Sequence, residues 1–292
     1  MDTILAFINS LEYEKRYSKN TIISYQNDLN QFKSFCAGNE TIPKDAAPML
    51  IRAWVVSLFD THTRRTILRK LSSLKSYYKF LLRQGVIQQN PLDKVLYPKT
   101  GKRIPEFVDQ PAIDFLLDHP PLTDGFSGIR NQLIVKLLYF TGIRLNELIN
   151  LKNRDINLPS ATIKVLGKRN KERIIPVSPD FIRELEEFIN LKALEFGAAS
   201  QPWFFVTDKG NKLYPKLVYR VVNSYLNLVT TKTKKSPHVL RHTFATHLLN
   251  NGAELTAIKE LLGHSNLSAT QVYTHTTFKK LKSIYKQAHP RA

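Results

Sequence analysis

From residue 18 onward, apolar side chains recur at Ile22, Tyr25, Leu29, Phe32 and Cys36, steps of three and four that share one helical face. Ser18 stands where an N-cap would, so a helix is expected from there to about Cys36. Pro43 and Pro48 punctuate the loop that follows. A second periodic run, Ile67, Leu71, Leu74, Tyr78 and Leu81, predicts a helix from about Thr63 to Arg83 with Gly85 as its C′ residue. Its opposite face carries Arg65, Arg69, Lys75, Lys79 and Arg83. Such a stripe is often only solvated. Here the same helix holds no acids to balance it, which favours contact with a phosphate backbone.

Beyond Asn90-Pro91 the pattern breaks. Residues 97–105 contain two prolines, a glycine and Lys99, Lys102 and Arg103, and read as a semi-rigid basic linker. Helical spacing returns near 109–118 and 127–141. Residues 161–166 and 172–177 are rich in β-branched side chains and flank Gly167-Lys-Arg-Asn-Lys171, which predicts a β-hairpin. Helices are expected again at 179–196 and 215–229, then from Ser236-Pro237 as N-cap and N1 to a stop at Gly252, with two short ones after it. The boundaries that follow are 1–98 for a first, helical domain, 99–103 for the linker and 104–292 for a second domain, mainly α with a small β-sheet.

Charge changes this picture from a scaffold to a binder. Lys and Arg number 43 against 24 Asp and Glu, a formal net of +19 over 292 residues. Residues 1–100 hold 15 basic and 8 acidic side chains, so +7 lies in the first part and +12 in the remainder. Two basic bodies suit a polyanion touched by both. No apolar run approaches the ~18 residues of a membrane span, and the first 15 residues lack a basic n-region. DNA or RNA is therefore the expected partner, not a membrane, and the cytoplasm the expected location. Cys36 is the only cysteine, which excludes an intrachain disulfide and any multi-cysteine metal site.

Three local patterns carry candidate chemistry. In Thr141-Gly-Ile-Arg144-Leu-Asn-Glu147, Gly142 breaks one helix and the next begins near Arg144, placing a guanidinium at a helix start. Taken alone it also fits a surface arginine paired with Glu147. In Ser236-Pro-His238-Val-Leu-Arg241-His242, His238 and Arg241 share a face at i, i+3. His238 and His242 have no acid between them that would make a His-Glu-x-x-His zinc site, and His242 and His247 read as satisfied or exposed histidines. In Leu261-Leu-Gly263-His264, followed by Tyr273 in a stretch of Ser, Thr and Gln, Gly263 ends a helix and presents His264 from its terminus.

Together, Arg144, the hairpin Lys168, His238-x-x-Arg241, His264 and Tyr273, in this order, resemble the tyrosine recombinases. The strings GKRNKERIIPV, LRHTFATHLL and ELLGHSNLSATQVYTH look closest to the Xer branch, and SYQNDLNQF and SLKSYYKFLL extend the likeness into the first hundred residues. The resemblance implies a two-domain, C-shaped DNA clamp in which a helical core-binding domain and a catalytic domain enclose double-stranded DNA. It implies that Tyr273 attacks a phosphodiester to give a 3′-phosphotyrosyl ester, with Arg144, Arg241 and His264 meeting charge on the non-bridging oxygens. His238 would then act as base, Lys168 as acid to the 5′-oxygen, and Glu147 as support. DNA contacts are expected from Arg65, Arg69, Lys75, Lys79, Lys102 and Arg103. No metal is expected, because two arginines and a histidine would neutralise the phosphate and the chain offers no obvious acidic cluster, and no ATP, because the covalent ester conserves the bond energy. A homo- or hetero-tetramer on a Holliday junction is implied, with a paralogous recombinase and a septal DNA translocase as further partners. One departure stands out. Arg169 occupies a position where this branch often has glycine, which makes Lys171 a competitor for the role of Lys168. The alternatives are a mobile-element integrase with the same catalysis, a type IB topoisomerase, and an architectural DNA-binding protein with a retired site. The C-terminal run Phe278 to Tyr285 is amphipathic and fits docking either on its own domain or on a neighbouring protomer.

Overall fold

The computed structural model describes residues 2–98, 101, 106–121, 125–167, 171–197, 202–263 and 275–291, with side chains in the last stretch from 282 onward. The chain divides into two compact units, Met1–Arg103 and Ile104–Ala292.

Among the described residues the first unit is helical. It contains α1 (Thr3–Asn9), which runs into a π turn at Ser10–Glu14, then α2 (Lys19–Ala37), α3 (Pro48–Ser57) and α4 (Arg64–Arg83). Ser18 caps α2 by accepting the Thr21 N–H at 3.3 Å, and Thr63 caps α4 by accepting that of Thr66 at 3.4 Å. Gly85, at φ +68°, closes α4 in a Schellman arrangement, with the Val86 N–H on the Leu81 carbonyl at 3.0 Å. All five expected inward positions of α4 are buried, each contributing about 1.5–3 kcal/mol if fully withdrawn from water. On α2, Leu29, Phe32 and Cys36 are buried, while Ile22 and Tyr25 are half-buried.

As expected, α4 itself holds no acid. An acid from α2 meets one residue of the basic stripe. Asp28, 2% exposed, takes both guanidinium nitrogens of Arg69 (Nη2 at 2.8 Å), the Lys70 ammonium at 3.2 Å and the Ser73 hydroxyl at 2.8 Å. A buried carboxylate must be paired, so Arg69 is held as part of the α2–α4 junction and is not an uncommitted cation. Arg65, Lys75 and Lys79 are exposed on the outer face, as is Arg69 despite its bond to Asp28, and Lys75 also lies 5.7 Å from the Tyr97 ring centre.

The second unit contains α5 (Gln110–Asp118), α6 (Gly125–Thr141), α7 (Leu145–Ile149), β1 (Ile156–Asn157), β2 (Thr162–Leu166), β3 (Glu172–Pro176), α8 (Pro179–Phe196), α9 (Pro215–Asn227), α10 (Pro237–Asn250), α11 (Leu255–Leu262) and α12 (His275–Ala288). Helix α6 buries Leu133, Ile134, Leu137, Leu138 and Tyr139 and packs against α8, α9 and α10. A helix apolar on most sides belongs in a core. The sheet is antiparallel in the order β1-β2-β3, with Val165 opposite Arg173 and Leu166 opposite Glu172. Strand alternation turns Arg173 and Ile175 inward and Glu172 and Ile174 outward.

The end of α12 docks on its own unit. Tyr285 is buried and its hydroxyl donates to the Phe140 carbonyl at 3.1 Å, Asn251 donates to the Ala288 carbonyl at 2.8 Å, and Arg291 pairs with Asp114 and Asp118. Among the described residues no helix is long and apolar enough to cross a membrane.

Candidate active site

The site begins where α6 stops. Gly142 has φ +58°, and a Cβ there would stand 2.5 Å from the Phe244 ring and 2.8 Å from Leu262 Cδ2. Only glycine allows that turn and that approach. The chain re-enters a helix at once, with Arg144 as N-cap of α7 and Glu147 at N3. The Glu147 carboxylate accepts the Arg144 main-chain N–H at 2.7 Å and its Nη1 at 2.8 Å. Pairing Arg144 with Glu147 therefore fixes the guanidinium and does not dispose of it as a surface ion.

Glu147 serves a second arginine that sequence reasoning passed over. Arg173, 4% exposed on β3, donates Nη1 to Oε1 at 3.0 Å and Nη2 to Oε2 at 2.7 Å. The signal that could have found it is a charged residue in the inward register of a strand next to Ile175. Burial alone would raise the Glu147 carboxyl. The hydrogen bond and charge of Arg173, then the Arg144 donors, outweigh burial and hold it below the usual carboxylate range.

Arg241 completes the cluster from α10. It is 5% exposed and donates Nη1 to the Gly142 carbonyl and Nη2 to the Leu262 carbonyl at 2.6 Å. Arg144 Nη2 reaches the Gly263 carbonyl at 3.1 Å, and Arg173 Nε reaches that of Leu261 at 2.8 Å. Three successive carbonyls at the C-terminus of α11 are thus taken by three guanidiniums from α7, β3 and α10. Such carbonyls lack intrahelical donors and lie at the negative end of the helix dipole, so cations suit them. Gly263 itself adopts φ +64°, and a Cβ there would stand 3.2 Å from Arg173 Nη1.

The balance of charge is the decisive property. Among the described residues of this cluster, three guanidiniums share one carboxylate. Burial, then the charge of Arg144, with Arg173 adding to it against the pull of Glu147, pushes the Arg241 pKa down to about 9. A cation under that pressure is relieved by an incoming anion. Arg144, with 37% of its side chain exposed, is the most accessible of the three guanidiniums.

His238 lies on the first turn of α10 and is exposed, with its ring edge-to-face on His242 at 4.5 Å. His242 is half-buried, and burial followed by the neighbouring Arg241 charge lowers its pKa. His247 is a satisfied core residue, bonded to the Tyr139 hydroxyl at 2.9 Å and the Val108 carbonyl at 3.0 Å. Lys168, His264 and Tyr273 lie outside the described residues, as do Lys102 and Arg103. The residues bordering two of them are described. The Gly167 N–H closes the hairpin on the Lys171 carbonyl at 2.8 Å, and Gly263 precedes His264 in the chain. Sequence reasoning also passed over the outer face of α9, where Lys216, Tyr219, Arg220 and Asn223 line a shallow basic cleft with Lys235.

A cationic, glycine-framed cluster between α7, β3, α10 and the end of α11 has the composition of a phosphate site. The description Phage integrase family matches residues 106–280, and that of a phage integrase N-terminal SAM-like domain matches residues 4–85. The chain belongs to the phage integrase family. It is a tyrosine recombinase, an enzyme of site-specific DNA recombination. Tyrosine recombinase XerC of Chlorobaculum tepidum is 37% identical over 314 residues, covering 98% of this chain and 94% of that one. The protein of the same name from Bacillus licheniformis is 40% identical over 300 residues, covering 98% and 95%. Among solved structures, XerH site-specific recombinase bound to difH substrate, a pre-cleavage complex, matches in fold with a TM-score of 0.71 at 22% identity, covering 97% of this chain and 84% of that one. For a phage integrase family member, Arg173 and the α9 face are the features of this chain that its motifs did not announce.

Proposed function

We propose that this recombinase cuts and rejoins double-stranded DNA in two transesterifications, with Tyr273 as nucleophile. The observation that carries the reading is the excess of guanidinium over carboxylate in the Arg144, Arg173, Arg241 and Glu147 cluster. Attack on a phosphodiester by a phenolate gives a five-coordinate phosphorus with about two negative charges on its oxygens, and fixed cations must meet them. Arg144 and Arg241 supply parallel donors that stay charged at neutral pH. The Tyr273 oxygen bonds to phosphorus, the bond to the 5′-oxygen breaks, and that oxygen takes a proton from Lys168. A tyrosine with a pKa of ~10 needs a base, and we give that part to His238, which shares a turn of α10 with Arg241. A 5′-hydroxyl of a second duplex then reverses the attack. Four protomers around a Holliday junction complete the exchange.

The biological role we assign is Xer-type resolution of chromosome or plasmid dimers in the cytoplasm, because likeness to proteins named XerC runs through both units. A paralogous recombinase and a septal translocase are the partners such a role would use. Incubation with a nicked site that traps the intermediate tests the chemistry. Wild type should leave a protein–DNA adduct on a denaturing gel, and Tyr273→Phe none, at near-normal affinity for the site. An adduct formed by Tyr273→Phe would move the nucleophile to another residue.

A further inference from the structure

The arginine that the catalytic reading leaves unused is Arg173. It is buried, and its guanidinium is turned onto protein groups: the fork onto both oxygens of Glu147 and the Nε bond to the Leu261 carbonyl. Glu147 passes that restraint on. Its Oε1 holds Arg144 Nη1 and its Oε2 holds the Arg144 main-chain N–H. Both carboxylate oxygens are therefore shared between Arg173 and Arg144. Without the fork, Glu147 could rotate about its last torsion and would release one Arg144 contact as it made the other. Arg173 also sets the other end of Arg144. By holding the Leu261 carbonyl it fixes the turn of α11 whose Gly263 carbonyl receives Arg144 Nη2. Its guanidinium fills the space beside Gly263, where a Cβ would come within 3.2 Å of it.

We propose that Arg173 is a positioning residue for phosphoryl transfer, acting through Glu147 to hold the Arg144 guanidinium on the non-bridging oxygens of the scissile phosphate. The proposal rests on the reading that Arg144 meets that charge. The same side chain also lies near the hairpin, 3.6 Å from where a Cβ on Gly167 would be, so an effect through Lys168 and the leaving group is the rival to be separated. The chemistry separates them. A substrate in which a methyl group replaces one non-bridging oxygen is neutral at phosphorus, so cleaving it needs less cationic compensation. A substrate with sulfur in place of the bridging 5′-oxygen expels a thiolate that needs no proton.

The experiment measures single-turnover cleavage of the ordinary, methylphosphonate and 5′-phosphorothiolate substrates by wild type, Arg144→Ala, Lys168→Ala, Arg173→Met and Arg173→Lys, with site affinity and melting temperature for each. Misplacing a reacting group by about an ångström costs about 100-fold. Arg173→Met is therefore expected to be about 10- to 100-fold slow on the ordinary substrate, with site affinity within about twofold of wild type. Arg173→Lys keeps the charge but not the fork and should fall between; it carries the test if the methionine variant does not fold. On the methylphosphonate, the deficits of Arg144→Ala and of both Arg173 variants relative to wild type should shrink at least tenfold or disappear, while that of Lys168→Ala persists. Recovery of the Arg173 variants on the sulfur substrate instead would place their effect on the leaving group and overturn the proposal. Equal deficits on all three substrates would make Arg173 a structural residue only and would overturn it as well. If Arg144→Ala itself gains nothing from the methylphosphonate, the premise about Arg144 fails and the proposal falls with it, a result distinct from recovery of Arg144→Ala alone.

Discussion

At the scale of single residues, the site is defined by how few of its cations are neutralised. Arg241 shows this most sharply, because it is nearly inaccessible yet is bonded to main-chain carbonyls and not to a carboxylate. Its two bridging donors reach Gly142 and Leu262, the two points where α6 ends and α11 ends, so its position is fixed before DNA arrives. Lysine in its place would keep one charge but could not span both carbonyls and still face a phosphate. Arg241→Lys should therefore slow single-turnover cleavage by about 10²–10³, the cost of removing one donor to a developing oxyanion. Site affinity should change little, because one phosphate contact is lost among many. If affinity and rate fell together by the same factor, Arg241 would be an ordinary binding residue. The motif His238-x-x-Arg241 made this arginine legible in the sequence. Arg173 was not legible as a partner of Glu147, since the two are 26 positions apart and only the β2–β3 register turns its side chain inward.

At the scale of elements, legibility followed whether the cause was local. Helix α8 begins at Pro179 after the Ser178 cap and ends at Phe196 before Gly197, and all of that punctuation is in the sequence. The short strand β1 was missed, because two residues paired with β2 carry no periodicity of their own. The balancing role of Asp28 was missed for a similar reason, as its three cationic and polar partners come from another helix. The packing of the end of α12 on its own unit was equally a tertiary fact, and its chemistry predicts a pH response. His289, next to the end of α12, is stacked on Tyr285 at 4.8 Å and lies against Tyr139, Phe140 and Phe244, with its Nδ1 accepting the Arg291 N–H. Burial, opposed by a main-chain contact at Tyr139 and aided by His247, lowers its pKa to about 3. The unfolded value is ~6.5. A histidine lowered on folding favours the fold while it is neutral, so its contribution is full above about pH 6.5 and is lost as the pH falls. Between pH 7 and pH 5 the loss from this group is about 2 kcal/mol. Burial lowers His247 as well, in the same direction. Melting temperature should fall over that range, and His289→Phe should fall less, retaining the part due to His247. An identical fall in both proteins would exclude His289 as the source.

At the scale of the whole molecule, a net charge of +19 becomes useful only if it is distributed over surfaces that meet DNA. Three groups of basic residues differ in what already neutralises them. Lys75 and Lys79 stand exposed on the outer face of α4, and Lys216 and Arg220 stand exposed on α9 in the second unit. Arg69, on the same helix as Lys75, is held by Asp28. Counterion release makes the first two pairs visible in the salt dependence of binding, with each phosphate contact contributing about 0.9 to the slope of log K against log salt concentration. Replacing Lys75 and Lys79 with Gln should therefore lower the slope by up to about 1.8, and replacing Lys216 and Arg220 should do the same. Changing all four should lower it by the sum, because the pairs belong to separate units and share no partner among the described residues. Arg69→Gln should behave differently. It removes two bonds from a buried carboxylate that keeps Lys70 and Ser73, so melting temperature should drop while the slope stays close to that of wild type. Fluorescence anisotropy on a labelled site duplex across a salt series, with a melt of each variant, measures all of these. A slope unchanged in both paired variants would mean that these faces meet only water. A slope reduced by Arg69→Gln as much as by a lysine on the same helix would mean that the Asp28 pair opens when DNA binds.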